Sequence, residues 1–272
     1  MRMKLSLSAF LLCGVLTDMI AQGRDFSSIT VTLSGGMEFV ITDSLGRRAG
    51  YDPMKRQRYD EINESYGVFS IDSENPEVES PEPVKEFMTH TPIDGRYRLT
   101  LFGTKSCRYT LSITLSRGIQ DGAEFDFDGV ADSNTVQQYE FRYSAVPKTR
   151  MTANKIVQPV TLRKDLDQCY TLLLLGGKEL HKDLTHRLDK FEKYLAHKDS
   201  SKAREELEDF KDKIEDVRKQ TVKKEQKKER REKEFLTKDT YQILQEDVDA
   251  LLKQLPQRRK GKGWDHDDRD RP

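Results

Sequence analysis

The stretch Asp94 to Leu115, DGRYRLTLFGTKSCRYTLSITL, sets the strongest limit on what this chain can fold into. Tyr97, Leu99 and Leu101 alternate with Arg98 and Thr100; Tyr109, Leu111, Ile113 and Leu115 alternate with Thr110, Ser112 and Thr114. A period of two carried by aromatic and branched residues gives each segment a single apolar face, which is the pattern of a half-buried strand. Gly103 to Ser106 supplies turn chemistry between the two, so the expectation is a β-hairpin.

The same period recurs on both sides of this stretch. Ile29, Val31 and Leu33 alternate with Thr30 and Thr32, and Ser34-Gly35-Gly36 breaks the run before Met37 to Thr42, where Phe39 and Ile41 face inward. Tyr66 to Ile71 reads as an edge strand, and Val84 to Thr89 leads into the hairpin. Ala123, Phe125 and Phe127 alternate with Glu124, Asp126 and Asp128, then Tyr139, Phe141 and Tyr143 alternate with Glu140 and Arg142. Asp43 to Pro53, DSLGRRAGYDP, reads as turns, and Asn75 to Pro83 as a loop. About seven or eight short strands separated by turns predict an antiparallel, jelly-roll-like β-sandwich over 23–148.

Beyond Ser144 the period changes. Met151 to Asp167 falls in a connector, 149–178, with an extra strand over Ile156 to Leu162. Leu180, Leu184, Leu188, Phe191 and Leu195 then recur at helical spacing, as do Ala203, Leu207, Phe210, Ile214 and Val217. Tyr241, Leu244, Val248, Leu251 and Leu255 make a third stripe, opened by Thr237 as N-cap and closed before Pro256. Three one-sided apolar faces must pack on one another or on a partner, so a small three-helix bundle is expected over 179–256. Lys219 to Glu234, KQTVKKEQKKERREKE, is rich in helix formers and poor in apolar residues, and extends the second helix into solvent or stays partly disordered. The tail, 257–272, is expected to be disordered.

The first residues point to export. Arg2 and Lys4 precede Leu5 to Leu16, an apolar run too short to span a bilayer, and Ala21 offers a small residue for cleavage; residues 1–22 read as a signal peptide. The alternatives are a retained membrane anchor, for which the apolar run is short, and lipoprotein processing at Cys13, against which Leu12 stands where a small residue is usual. The expected location is extracellular or periplasmic, with no transmembrane segment in the mature chain. With 47 basic and 47 acidic residues the formal charge is +0, which gives no global attraction to nucleic acid or anionic membrane.

The run-in and hairpin, PxDGxYxLxxxGTxxCxYTLxI from Pro92 to Ile113, resemble the bacterial pre-peptidase C-terminal domain, a small sandwich attached to secreted enzymes. Cys107 departs from the small residue usual in that turn. Together with YDEINESYG at Tyr59 to Gly67, DSLGRRAGYDP resembles a group of uncharacterised secreted bacterial proteins that carry this sandwich. The match covers about 27–144. The stretch from Leu172 to Leu255, above all LTKDTYQIL, resembles the FIMAH module, a helical unit near the C-termini of secreted bacterial proteins. Its usual short link is replaced here by the charged insert. Both resemblances imply architecture and export rather than an activity.

The sequence holds no catalytic constellation: no HExxH, GxSxG, P-loop or GxGxxG after a strand. His181 and His186, five residues apart, stand about 140° apart around a helix, too far to share a metal, and read as surface residues. Asp126, Asp128 and Asp132 are spaced oxygen ligands but lack the Gly and distant Glu of a calcium loop. The Asp265, Asp267 and Asp268 group with His266 sits on the tail. No cofactor or metal site is expected. Cys107 and Cys169 are the cysteines left after export, and oxidising surroundings make them a candidate disulfide. Closing about 60 residues that way would add ~4 kcal/mol in the chain-entropy model.

The reading is a secreted non-catalytic accessory protein that binds another exported protein or a cell-surface polysaccharide. The charged insert adds the option of weak binding to acidic polymer, against the reading of a self-compensating solvated helix. The alternative is a carbohydrate-acting or other hydrolytic enzyme using the acidic loop of about 47–66, where Asp52, Asp60, Glu61 and Glu64 cluster, since paired carboxylates hydrolyse glycosides.

Overall fold

The computed structural model describes residues 27–62, 65–69, 83–118, 121–226 and 234–256. The expected signal peptide with Cys13, the acidic residue Glu64, most of the Asn75 to Pro83 loop, residues 227–233 of the charged insert and the whole tail lie outside the described residues.

Alternating apolar residues build two antiparallel sheets. The first holds β5 (Ser65–Phe69), β6 (Val84–Thr89), β1 (Ser28–Ser34), β8 (Cys107–Arg117) and β9 (Asp121–Ala131), in that order. The second holds β11 (Thr152–Ile156), β10 (Val136–Tyr143), β7 (Gly95–Gly103), β2 (Met37–Thr42), β3 (Arg48–Asp52) and β4 (Gln57–Asp60). Ile29, Val31, Leu33, Leu111, Ile113 and Leu115 from one sheet meet Phe39, Ile41, Leu99, Leu101, Tyr139 and Phe141 from the other in one buried core. This is the expected sandwich, with β5 at its edge.

Two expectations about the strands fail. The segments on either side of Thr104–Ser106 are not a hairpin: β7 pairs with β2 and β10, and β8 with β1 and β9. A period of two fixes which face is apolar but not which neighbour supplies the hydrogen bonds, and these two apolar faces meet across the sandwich instead. The DSLGRRAGYDP stretch is likewise not all turn, since β3 begins at Arg48 and pairs with both β2 and β4.

Three connections cross from sheet to sheet at one end of the sandwich: Gly35–Gly36, Thr104–Ser106 and Asp132–Thr135. They are laced together. Thr104 donates from its backbone N (3.0 Å) and its Oγ1 (2.9 Å) to the Gly36 carbonyl, and Gly103 N donates to the Thr135 carbonyl at 2.8 Å. A Cβ at Gly103 would run into the Asp132 carbonyl oxygen, so glycine is what lets adjacent crossings lie this close.

The helical unit contains α1 (Pro159–Thr171), α2 (Lys178–Ala196), α3 (Ser200–Gln226) and α4 (Lys238–Gln254). The stretch read as a connector therefore holds an edge strand and a full helix, and Ile156 to Leu162 is split between them. Pro159 at the first helical position and a Gln158–Thr161 capping box start α1 there. The stripes Leu180, Leu184, Leu188 and Phe191, then Ala203, Leu207, Phe210, Ile214 and Val217, then Leu244, Val248 and Leu251 are buried together as expected. Leu162, Leu166 and Cys169 of α1 join them.

Neighbouring helices run antiparallel. Asp183–Lys213, Arg187–Asp209 and Lys190–Glu206 pair α2 with α3 in reverse order, and Arg163–Asp189 and Asp167–His181 do the same for α1 and α2. Lys211–Asp249, with Arg204 on the Leu252 and Leu255 carbonyls, orients α3 against α4. A two-stranded ribbon, β12 (Leu175–Gly176) with β13 (Phe235–Leu236), ties the α1–α2 turn to the lead-in of α4. Thr237 caps α4, accepting from Thr240 N, which is the role its position suggests. The charged insert continues α3 as helix to Gln226. Among the described residues no helix is long and apolar enough to cross a membrane.

Candidate functional site at the junction of sandwich and helices

β9 and β11 are the last strands of their sheets, and between them one side of the sandwich stands open. Helices α1 and α4 pack there, with Val130 of β9 and Val157, just after β11, buried in the helical core. Arg108 pairs with Asp239, Gln168 Nε2 donates to Ser106 Oγ at 2.6 Å, and Gln254 Nε2 donates to the Val157 carbonyl at 3.0 Å.

The centre of the junction is charged. Lys155 lies opposite Tyr139 in the β10–β11 register, so its side chain points to the inner face of the sandwich. An inward-pointing lysine on an edge strand deters further strand pairing, and here its ammonium is met from the helices. Lys155 Nζ donates to Asp165 Oδ2 of α1 at 2.6 Å and to Asp247 Oδ1 of α4 at 2.7 Å. The three side chains are 7%, 2% and 0% exposed. Behind them, Gln137 Nε2 donates to Asp165 Oδ1 at 2.9 Å and to the Val130 carbonyl at 3.2 Å, while its Oε1 accepts from Tyr109. The Tyr109 and Tyr139 hydroxyls are 2.8 Å apart.

Burial shifts the titration of this cluster. It pulls the Lys155 ammonium down, but Asp165 and Asp247 together outweigh it and hold the group well above the usual lysine range. It pushes the Asp247 carboxyl well above the usual carboxylate range, against the pull of Lys155 and helped by the Asp165 charge. The Tyr109 and Tyr139 phenols are raised chiefly by burial as well. Three ionisable groups out of water carry a desolvation cost that only close pairing offsets, and removing one partner strands the others.

Two clefts flank the cluster. One, of about 450 Å³, is lined by Phe127, Asn154, Lys155, Glu246, Lys253 and Gln254 among others. A smaller one, about 210 Å³, lies on the other side between Gln137, Val160, Lys164 and Asp165. Burial raises the Glu246 carboxyl.

The residues singled out in the sequence lie elsewhere. Asp52 Oδ1 accepts from the Met54 and Lys55 amides at 3.0 Å each, fixing the β3–β4 turn. Asp60 pairs with Arg58, and Glu61 makes a two-pronged pair with Arg48 that lowers its own pKa. The three carboxylates are spread along one strand pair, each with its own partner. Asp132 accepts from Asn134 N and Thr135 Oγ1 in the third crossing, and Asp128 accepts from Thr110 Oγ1. Among the described residues, no three His, Cys, Asp or Glu side chains are grouped to hold a metal. His181 contacts Asp167 at 2.8 Å and stacks on Tyr170.

Cys107 and Cys169 are not bridged. Cys107 belongs to the sandwich core, whereas Cys169 faces the helical core, where burial pushes its thiol up to about 12. Helix α1 turns Cys169 inward among apolar side chains.

The junction residues left a signal of their own. Asp165 stands between Leu162 and Leu166, and Asp247 between Leu244 and Val248, each at a position where the apolar stripe runs. Comparison with protein-family models, curated proteins and solved structures finds no match to this chain.

Proposed function

We propose that this chain is an exported, non-catalytic binding protein whose sandwich and helical unit act as one body, and that its partner is a cell-surface polysaccharide. The reading takes residues 1–22 as a signal peptide, the sandwich as pre-peptidase C-terminal-like, and α2 to α4 as a FIMAH-like three-helix bundle to which α1 is added. The observation that carries it is the larger junction cleft. Phe127 offers an apolar face, and Asn154, Glu246, Lys253 and Gln254 surround it with amide, acid and ammonium groups. Sugars are bound by that combination, an aromatic ring under the C–H face and polar groups around the hydroxyls.

The acidic loop speaks for binding rather than hydrolysis. Hydrolysis by two carboxylates needs them to face each other across a substrate, whereas Asp52, Asp60 and Glu61 are each committed to a turn or an arginine. The test is retention of the mature protein on immobilised envelope polysaccharide, with Asn154→Ala/Lys253→Ala as the cleft variant. Retention that falls at least about tenfold in the variant, equivalent to ~1.4 kcal/mol, supports the reading. Capture of an exported protein in place of polysaccharide, or retention indifferent to the cleft variant, overturns it.

A further inference from the structure

Charge balance does not explain the junction cluster. One buried lysine is neutralised by one carboxylate, yet two meet it at 2.6 and 2.7 Å. Lys85 shows the simpler arrangement. It also points inward, but it has one carboxylate, Glu38 at 3.3 Å, and the Met37 carbonyl at 2.5 Å.

The two acids at Lys155 are held differently. Asp165 is fixed through both oxygens, by Gln137 on Oδ1 and Lys155 on Oδ2. Asp247 gives Oδ1 to Lys155, and among the described residues its buried Oδ2 has no hydrogen-bond partner. An amine, a carboxyl with one oxygen unheld, and a second carboxylate touching the same amine are therefore gathered in a nearly dry site. These are the parts of an amide condensation. Such proximity replaces the entropy cost of bringing two reactants together, and a positioned carboxylate supplies the proton transfers.

We propose that Lys155 and Asp247 condense to an intramolecular amide, with Asp165 as the proton relay, joining the last strand of the sandwich to the last helix. Asp165 Oδ2 takes a proton from the Lys155 ammonium, and the amine lone pair forms a bond to Asp247 Cγ. Asp165 then passes its proton to the departing Oδ2 hydroxyl, which leaves as water, and takes the second proton from nitrogen as the carbonyl reforms. The cluster is uncharged before and after, one water is lost, and nothing is oxidised or reduced. The neutral carboxyl that this chemistry requires is the form favoured at Asp247 by burial. Lys155 also lines the larger cleft, which gives the water an exit.

The amide would close a loop of 92 residues across the junction and turn the packing of two units into a covalent connection. This proposal is independent of the polysaccharide reading, since it concerns the chain's own covalent structure.

The experiment is mass spectrometry of the full mature protein, denatured and reduced, followed by peptide mapping. The expected result is a mass short by one water and a branched peptide joining Lys155 to Asp247. Lys155→Arg, which keeps the cation but cannot form this amide, is expected to show the full sequence mass. Asp94-Gly95, Asp121-Gly122 and Asp128-Gly129 can also lose water by cyclising to succinimides, so the digest is repeated after mild base, which opens a succinimide and leaves the amide intact. Separate linear peptides containing Lys155 and Asp247, a water loss that maps to an Asp-Gly step, or a branch at Asp165 would each overturn the proposal. Because the unsubstituted protein is the primary sample, a variant that fails to fold does not blur the answer.

Discussion

The sandwich and the helical unit reach similar dryness by different routes. In the helical unit, contact between elements follows from short-range order: side chains three and four apart share a face, and each helix lies antiparallel to its neighbours with ion pairs marking the register. In the sandwich, strands next to each other in sequence, such as β7 and β8 or β9 and β10, lie in opposite sheets. Hairpins such as β8–β9 and β10–β11 build each sheet, and the crossings bring the two sheets together into one core. The difference shows that local periodicity specifies a helical partner face well and a strand partner poorly. It also locates where the two designs must be reconciled: the open edge between β9 and β11, where the Lys155 cluster sits.

The largest effect is expected at the Lys155 cluster. Lys155→Met leaves Asp165 and Asp247 buried without the nitrogen that meets them both and is expected to cost about 3–5 kcal/mol. Denaturant unfolding followed by helix signal at 222 nm and by near-ultraviolet tyrosine signal should then separate into two transitions. A single coincident transition with unchanged midpoint would show that the cluster does not couple the units.

Matched core truncations report whether the two units unfold together. Phe141→Ala in the sandwich and Phe210→Ala in the helices, both essentially unexposed, are each expected to cost about 3–5 kcal/mol. With the junction intact, both should lower one shared midpoint. If Phe210→Ala melts the helical signal alone, the units are independent.

Alkali is expected to act on both. Tyr97 is pushed up to about 12 by burial, as is Cys169, and Tyr109 and Tyr139 are raised too. Each group holds its proton longer folded than unfolded, so the folded state binds more protons and stability falls as pH rises. The contribution is fully present below the ordinary phenol and thiol values and drains away from roughly pH 9 upward. Thermal midpoints should therefore fall steadily from that point, and a flat profile to pH 11 would contradict the burial described. The exposed, lowered carboxylates Glu61 and Glu215 give a much weaker acid limb.

The smallest effect should come from the α4 cap. Thr237→Ala removes an oxygen that accepts from Thr240 N and is expected to cost about 1 kcal/mol. Amide exchange should rise in the first turn of α4 with the sandwich unaffected. Faster exchange in β9 and β11 as well would show that the cap helps to hold the junction.

Within the sequence, three helical stripes, the Thr237 cap and the inward phases of β1, β7, β8 and β10 are set by spacing alone, because side-chain direction repeats with the backbone. The candidate site was legible only in retrospect. Asp165 and Asp247 occupy stripe positions that a surface acid would avoid, but an acid in a stripe has meaning only when its partner is known. The acids that did stand out, at Asp52, Asp60 and Glu61, are conspicuous because they are in turns, and turns consume acids for capping.

Tertiary structure alone decided which sheet each strand joined, that the Pro159 to Thr171 helix packs at the open edge, and that Cys107 and Cys169 belong to separate cores. It also brought Lys155 to Asp165, ten residues on, and to Asp247, ninety-two residues on. The reason is common to all four. Periodicity reports the environment of a residue as polar or apolar, a property of one side chain and its own backbone. Pairing is a property of two, and between distant segments it is selected by the closing of a whole core, for which no single stretch carries the pattern.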